Sequence, residues 1–101
     1  MKVSAKLNKD NLYVFLEGEI DQSVAGELRI KLDEYLESVK VKNVILNMRL
    51  LTFMDSTGVG LIMGRYKKLQ QKNIAMFINE PNKQIDKVLK VSGLYSIIPL
   101  I

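Results

Sequence analysis

Hydrophobic positions change period several times along the chain. Val3, Ala5 and Leu7 alternate with polar residues, the pattern of a half-buried strand. Asn8-Lys9-Asp10-Asn11 reads as a turn and the unbroken run Leu12 to Leu16 as a second, more buried strand, so the two predict a hairpin. Past Gly18-Glu19-Ile20-Asp21 the spacing lengthens. Val24, Leu28, Leu32, Tyr35, Leu36 and Val39 recur at helical intervals and lay one stripe against a core. Asn43 to Met48 reads as a buried strand, and Leu50 to Met54 as an unusually apolar connection. Asp55-Ser56-Thr57 supplies capping chemistry for a helix running from about Gly58 to Lys72.

Ile74 to Ile78 is a further buried strand. Pro81 suits the first position of another helix, with Ile85, Val88 and Leu89 facing inward. Gly93 suits a left-handed stop, with Leu94 folding back on Leu89 in a Schellman arrangement, and Ile97 to Ile101 make a last strand. The order is ββαβαβαβ. It predicts one α/β domain over residues 1–101: a mixed, mostly parallel sheet of about five strands, covered by helices and joined by right-handed crossovers. No repeat, low-complexity tract or Pro/Gly-rich linker interrupts it. In such sheets ligands and partners meet the loops at the carboxyl ends of the strands, here Gly18 to Gln22 and Phe53 to Gly60.

Composition narrows the chemistry. The chain has no cysteine and no histidine, so it offers no thiolate and no imidazole, which is both the commonest general base and the commonest metal ligand. A hydrolytic triad cannot be assembled, and any metal would need oxygen ligands alone. We therefore expect no enzyme, no cofactor and no bound metal. The net charge of +4 is uneven: residues 1–38 hold five basic against eight acidic residues, and residues 39–101 hold ten against three. The lysines fall on solvated helix faces without interleaved aromatics, so no nucleic-acid partner is expected. No apolar run approaches the ~20 residues of a membrane span, and no signal-peptide pattern opens the chain. The expectation is a cytoplasmic protein with no membrane partner.

Met54-Asp55-Ser56-Thr57-Gly58-Val59-Gly60 follows a strand and opens a helix, where unpaired N–H groups favour an anion. Four readings compete for it. It can be a plain N-cap made by Asp55 or Ser56. It can be a dinucleotide loop, but Gly64 falls one position late for that motif. A P-loop fails because no Gly-Lys-Ser/Thr occurs. The fourth reading is a phosphorylatable hydroxyl at a protein interface: the helix start tolerates a dianion, and Phe53, Met54, Val59, Leu61 and the glycines offer an apolar, closely approachable surface.

The chain resembles a known family on these segments: Gly18-Glu19-Ile20-Asp21, Val44-Ile45-Leu46-Asn47, Phe53 to Gly60, Gly64-Arg65-Tyr66-Lys67 and Ser92-Gly93-Leu94. They are similar to the anti-sigma factor antagonists, free-standing STAS domains, over nearly the whole chain, and most like the sporulation branch. The general-stress branch comes next. Gly26 inside the first helix and the ending at Ile101 depart from the pattern. The resemblance implies that the unmodified protein binds an anti-sigma factor serine kinase and so frees a sigma factor. It implies phosphorylation on Ser56, which abolishes binding, and a metal-dependent serine phosphatase that restores it. Asp21 matches the family's acid in the earlier loop. The partner surface would comprise Asp21, Met54, Asp55, Thr57, Gly58, Val59, Gly60 and Arg65.

Each of these residues has a plainer role available. Asp21 can cap the first helix as readily as meet a partner, and Asp55 is more simply a cap than an orienter of the Ser56 hydroxyl. Arg65, with Lys67, Lys68 and Lys72, suits the C-terminal half of a helix electrostatically. Tyr13, Tyr35 and Tyr66 read as packing residues. Two other functions stay open: a STAS-type scaffold or subunit of another complex that needs no modification of Ser56, and an enzyme or nucleotide-binding domain.

Overall fold

The computed structural model describes residues 1–101. Strands β1 (Lys2–Asn8) and β2 (Asn11–Ile20) form the expected antiparallel hairpin, closed by the two residues Lys9 and Asp10. Helix α1 (Ala25–Leu36) leads to β3 (Asn43–Met54), α2 (Ser56–Gln70), β4 (Ala75–Asn79) and α3 (Lys83–Val91), and a short 3-10 turn covers Leu94–Ser96. The sheet order is β1-β2-β3-β4, with β2, β3 and β4 mutually parallel. This is the mixed, mostly parallel α/β sheet that the sequence predicts.

One face of the sheet carries the core. Val3, Ala5, Leu12, Val14, Leu16, Val44, Leu46, Met76 and Ile78 stand on that face by strand alternation. Leu28, Leu32 and Leu36 of α1, Leu61, Ile62 and Leu69 of α2, and Ile85 and Leu89 of α3 close over it in one cluster. All three helices thus serve a single face. The opposite face holds the row Tyr13, Ile45 and Phe77, and Ile45 is only 3% exposed although no helix covers it.

Three expectations change. The connection Leu50 to Met54 is strand: β3 runs for 12 residues. It carries two extra residues against β2, between Phe15 and Glu17 and between Gly18 and Glu19, and such bulges break the period of two that marks a strand in sequence. Pro81 is not the first helical residue; Asn82 caps α3, its Oδ1 accepting from the Ile85 N–H at 2.9 Å. The expected last strand shrinks to one bridge, Ile78 with Leu100, because the chain turns through a 3-10 segment and Pro99 has no N–H to extend a ladder.

Gly93 takes the left-handed conformation expected of it, with φ 78°. Its N–H donates to the Lys90 carbonyl at 3.1 Å, half of a Schellman motif. The other half is relayed by a side chain: the Leu94 N–H donates to Ser92 Oγ, and that hydroxyl donates to the Leu89 carbonyl at 2.8 Å.

Beyond this stop the Tyr95 hydroxyl donates to Asp86 Oδ1 at 2.7 Å, tying the C-terminal segment to α3. That bond, with help from Lys90, holds the Asp86 carboxyl below its ordinary value of 3.8. Burial, then the Asp86 bond, pushes the Tyr95 hydroxyl well above its ordinary value of 10.0. A depressed acid stabilises the fold above its unfolded pKa and loses that effect as pH falls; a raised tyrosine stabilises below its unfolded pKa and loses the effect as pH rises. Stability should therefore decline both below about pH 4 and above about pH 10. Tyr95→Phe should lower the urea midpoint on the plateau between them, abolish this tyrosine's alkaline decline and weaken the acid one, as urea unfolding across pH will measure.

Candidate functional site

The site stands where two parallel strands end together. β2 and β3 pair as far as Ile20 and Met54, so Asp21 and Asp55 leave the sheet side by side. The Asp55 N–H still donates to the Ile20 carbonyl at 3.1 Å. On the other flank β4 has already stopped, its last pair with β3 being Asn47 with Asn79. Two carboxamides at the start of α3 stand in for the missing strand. Gln84 Oε1 accepts from the Met54 N–H at 3.1 Å, and Gln84 Nε2 donates to the Met54 carbonyl at 2.8 Å. Asn82 Nδ2 reaches the Leu51 and Thr52 carbonyls at 3.4 and 3.2 Å.

So anchored, the chain turns into α2. Asp55 is extended and is the cap: its Oδ1 accepts from the Thr57 N–H at 2.9 Å. The helix begins at Ser56, two residues before the expected start, and ends at Gln70. Ser56 is exposed and takes no part in the cap. No acidic side chain lies in the first turn of the helix, where the dipole favours an anion.

The first half of α2 forms a ridge between two open clefts. On one side Ser56 and Val59 face Lys87, Val88, Val91 and Ser92 of the α3 region across a cleft of about 460 Å³. On the other side Thr57, Gly60, Leu61 and Arg65 face Ala25, Gly26 and Arg29 of the α1 region across a groove of about 470 Å³. Ser56, Thr57, Val59 and Gly60 are thus brought together on one surface, with Asp55 at its edge.

Three expected contact residues lie beneath that surface. Met54 is 0% exposed and is a core residue. Gly58 is buried against it, and a Cβ there would sit 2.6 Å from Met54 Cγ and 3.2 Å from Ile20 Cγ2, so the glycine serves close packing. Arg65 is 7% exposed, and its Nε lies 3.0 Å from Asp33 Oδ1 in α1. The pair is a charge contact without hydrogen-bond alignment, shared with Lys68 at 3.2 Å from Asp33 Oδ2, and it ties α2 to α1. Met54 and Gly58 shape the platform from below, and Arg65, though mostly buried, lines the bottom of the α1–α2 groove.

Asp21 does not cap α1, whose N-cap is Val24 without a side-chain bond. Its Oδ1 accepts from the Ser23 hydroxyl at 2.6 Å and the Ser23 N–H at 2.9 Å, closing a local turn. The hydroxyl bond chiefly holds its carboxyl below the usual range, so at neutral pH it presents a fixed negative charge beside the Ser56 platform.

The α3 contribution has no counterpart in the sequence reading. Val91 is 79% exposed although it follows an inward-facing series, and that break in amphipathicity was the available signal. No group of His, Cys, Asp and Glu side chains is arranged to hold a metal, and no helix is long and apolar enough to cross a membrane.

A four-stranded mixed sheet with a capped helix rising from its central parallel strands defines the class, and comparison names it. The STAS domain family matches residues 2–101, and the chain belongs to that family. An anti-sigma F factor antagonist from Paenibacillus polymyxa is 32% identical over 100 residues, covering 99% of this chain and 86% of the relative. Among solved structures, the anti-sigma factor antagonist SpoIIAA in its unphosphorylated form matches with a TM-score of 0.81 at 27% identity, over 99% of this chain and 88% of that one. The Bacillus cell fate determinant SpoIIAA in its phosphorylated form matches with a TM-score of 0.71 at 27% identity, over 99% and 91%.

The carboxamide clamp yields a direct test. Gln84→Leu keeps the bulk and leaves the part-buried Met54 N–H and carbonyl without these partners. It should destabilise the domain by about 1–3 kcal/mol, as unsatisfied buried polar groups do, measured by urea unfolding.

Proposed function

We propose that this chain is an anti-sigma factor antagonist whose unmodified form binds an anti-sigma factor that is also a serine kinase, releasing a sigma factor. Phosphorylation of Ser56 switches that binding off, and a metal-dependent serine phosphatase restores it. The observation that carries the reading is the setting of Ser56: an exposed first helical residue on a framed platform, its hydroxyl not needed for the cap. The Paenibacillus relative's name and the existence of SpoIIAA structures in both modification states support it. The reading assigns no catalytic step to the chain itself, which has no histidine or cysteine to activate a nucleophile. Its action is binding, in the cytoplasm where the sigma factor works.

The switch is electrostatic. A phosphate adds a charge of about −1.5 to −2, which the α2 start accepts in the free protein. In a complex the same charge would be desolvated against the partner, and a buried unpaired charge costs several kcal/mol. Val59, Gly60 and Thr57 supply the neighbouring contact surface, and Asp21 the fixed charge beside it.

Incubation with the partner kinase and Mg-ATP should add one phosphate, localised to Ser56 by tandem mass spectrometry; a phosphate found chiefly on Ser23, Ser92 or Ser96 contradicts the assignment. Ser56→Ala should change stability by no more than about 0.5 kcal/mol, because Asp55 is the cap. It should bind permanently. Ser56→Asp should melt as the wild type does yet bind at least about a hundredfold more weakly, about 2.7 kcal/mol. Titration calorimetry and thermal melting separate the two effects, and equal affinities for the two variants would return Ser56 to an ordinary surface residue.

A further inference from the structure

We propose that Lys87 is the counter-cation of the phosphorylated state, pairing across the α2–α3 cleft with a phosphate on Ser56. The inference rests on Ser56 being the modified residue and adds the group that receives the modification. Ser56 and Lys87 line the same cleft, and Lys87 is the one charged side chain among its lining residues. The juxtaposition is fixed by the backbone clamp: Gln84 grips Met54, two residues before Ser56, and Lys87 lies one turn further along α3.

Lys87 is also free to act. No carboxylate lies within ion-pair distance of it, whereas Lys90 on the same helix is held by Asp86 at 3.0 Å, and Asp86 also accepts from Tyr95. The other charges near the helix starts are Asp55 and Asp21, which would repel a phosphate, and Lys83; none of the three lines the cleft. The floor, Val59, Val88 and Val91, is apolar. A dianion leaning over such a floor loses water on one side and gains from a cation at the far wall. Lysine suits the position, since its ammonium on a flexible four-carbon stem adjusts to a phosphate as a point charge.

Pairing of this kind has a consequence for the switch. The phosphate is drawn over Val59 and Val91 and shields the apolar part of the platform. Modification then both adds charge and covers surface.

The test places phosphoserine at position 56 by encoded incorporation, so that it needs no kinase, and follows the phosphate by 31P NMR through a pH titration at low salt. In the wild type the pairing favours the dianion. In Lys87→Gln the phosphate's second pKa should rise by about half a unit, and Lys87→Arg should restore most of the difference. Lys83→Gln, which changes net charge equally from outside the cleft, should shift the pKa by much less. Identical titrations for wild type and Lys87→Gln overturn the proposal, as does a Lys83→Gln shift as large as that of Lys87→Gln. A kinase that fails to modify Ser56 would overturn the proposed function while leaving this result standing, so the two failures are distinguishable.

Discussion

The structure depends on how the last residue of β3 is held. A strand that outruns its neighbour exposes unpaired backbone groups, and inside a packed domain each costs about 1–3 kcal/mol. β3 outruns β4 by seven residues, from Asn47 to Met54. Gln84 and Asn82 supply the missing partners, while Ile20 of β2 holds the other side. One constraint therefore fixes three things: where β3 ends, where α3 begins, and where α2 leaves the sheet. Ser56 is placed by all of them.

The frame around Ser56 favours a change of charge over a change of shape. Asp55 carries the cap, so the neighbouring hydroxyl has no structural duty. Gly58 lets α2 settle directly on Met54 and Ile20. Arg65 reaches back to Asp33 and secures the next turns against α1. A removed partner in a buried ion pair leaves an uncompensated charge, which makes such a tie hard to break. The platform is thus rigid from below and open from above, and its two flanking clefts keep the ridge of α2 accessible.

Much of this was legible from residue order. The hairpin, the inward stripe Leu28, Leu32 and Leu36 of α1, the left-handed stop at Gly93 and the Asp55 cap follow from local pattern and capping chemistry, and the structure contains each; Tyr35, expected on the same stripe, is 39% exposed, and Val39 lies beyond the helix end at Leu36. What escaped is non-local. The strand character of Leu50 to Met54 was hidden because β3 bulges twice against β2, which destroys alternation. Asn82 displaced Pro81 as the α3 start because an asparagine side chain can cap while also reaching β3. Met54 and Arg65 sit in a segment of the kind a partner would meet, and only tertiary packing shows that Met54 belongs to the core and that Arg65 is drawn down to Asp33 at the bottom of a groove. Lys87 and Val91 reach the Ser56 cleft through a contact between elements some thirty residues apart, which no sequence window contains.

The central claim is that modification of Ser56 alters charge on an unchanged frame. Backbone amide chemical shifts of the unmodified protein and of the protein carrying phosphoserine at position 56 test it most directly. The account predicts changes confined to residues 53–61 and to the facing stretch 83–92, with the β2, β3 and β4 core amides unmoved. Shifts spread through Leu12 to Leu16, Val44 to Met48 and Met76 to Ile78 would mean that phosphorylation repacks the domain, and would contradict it.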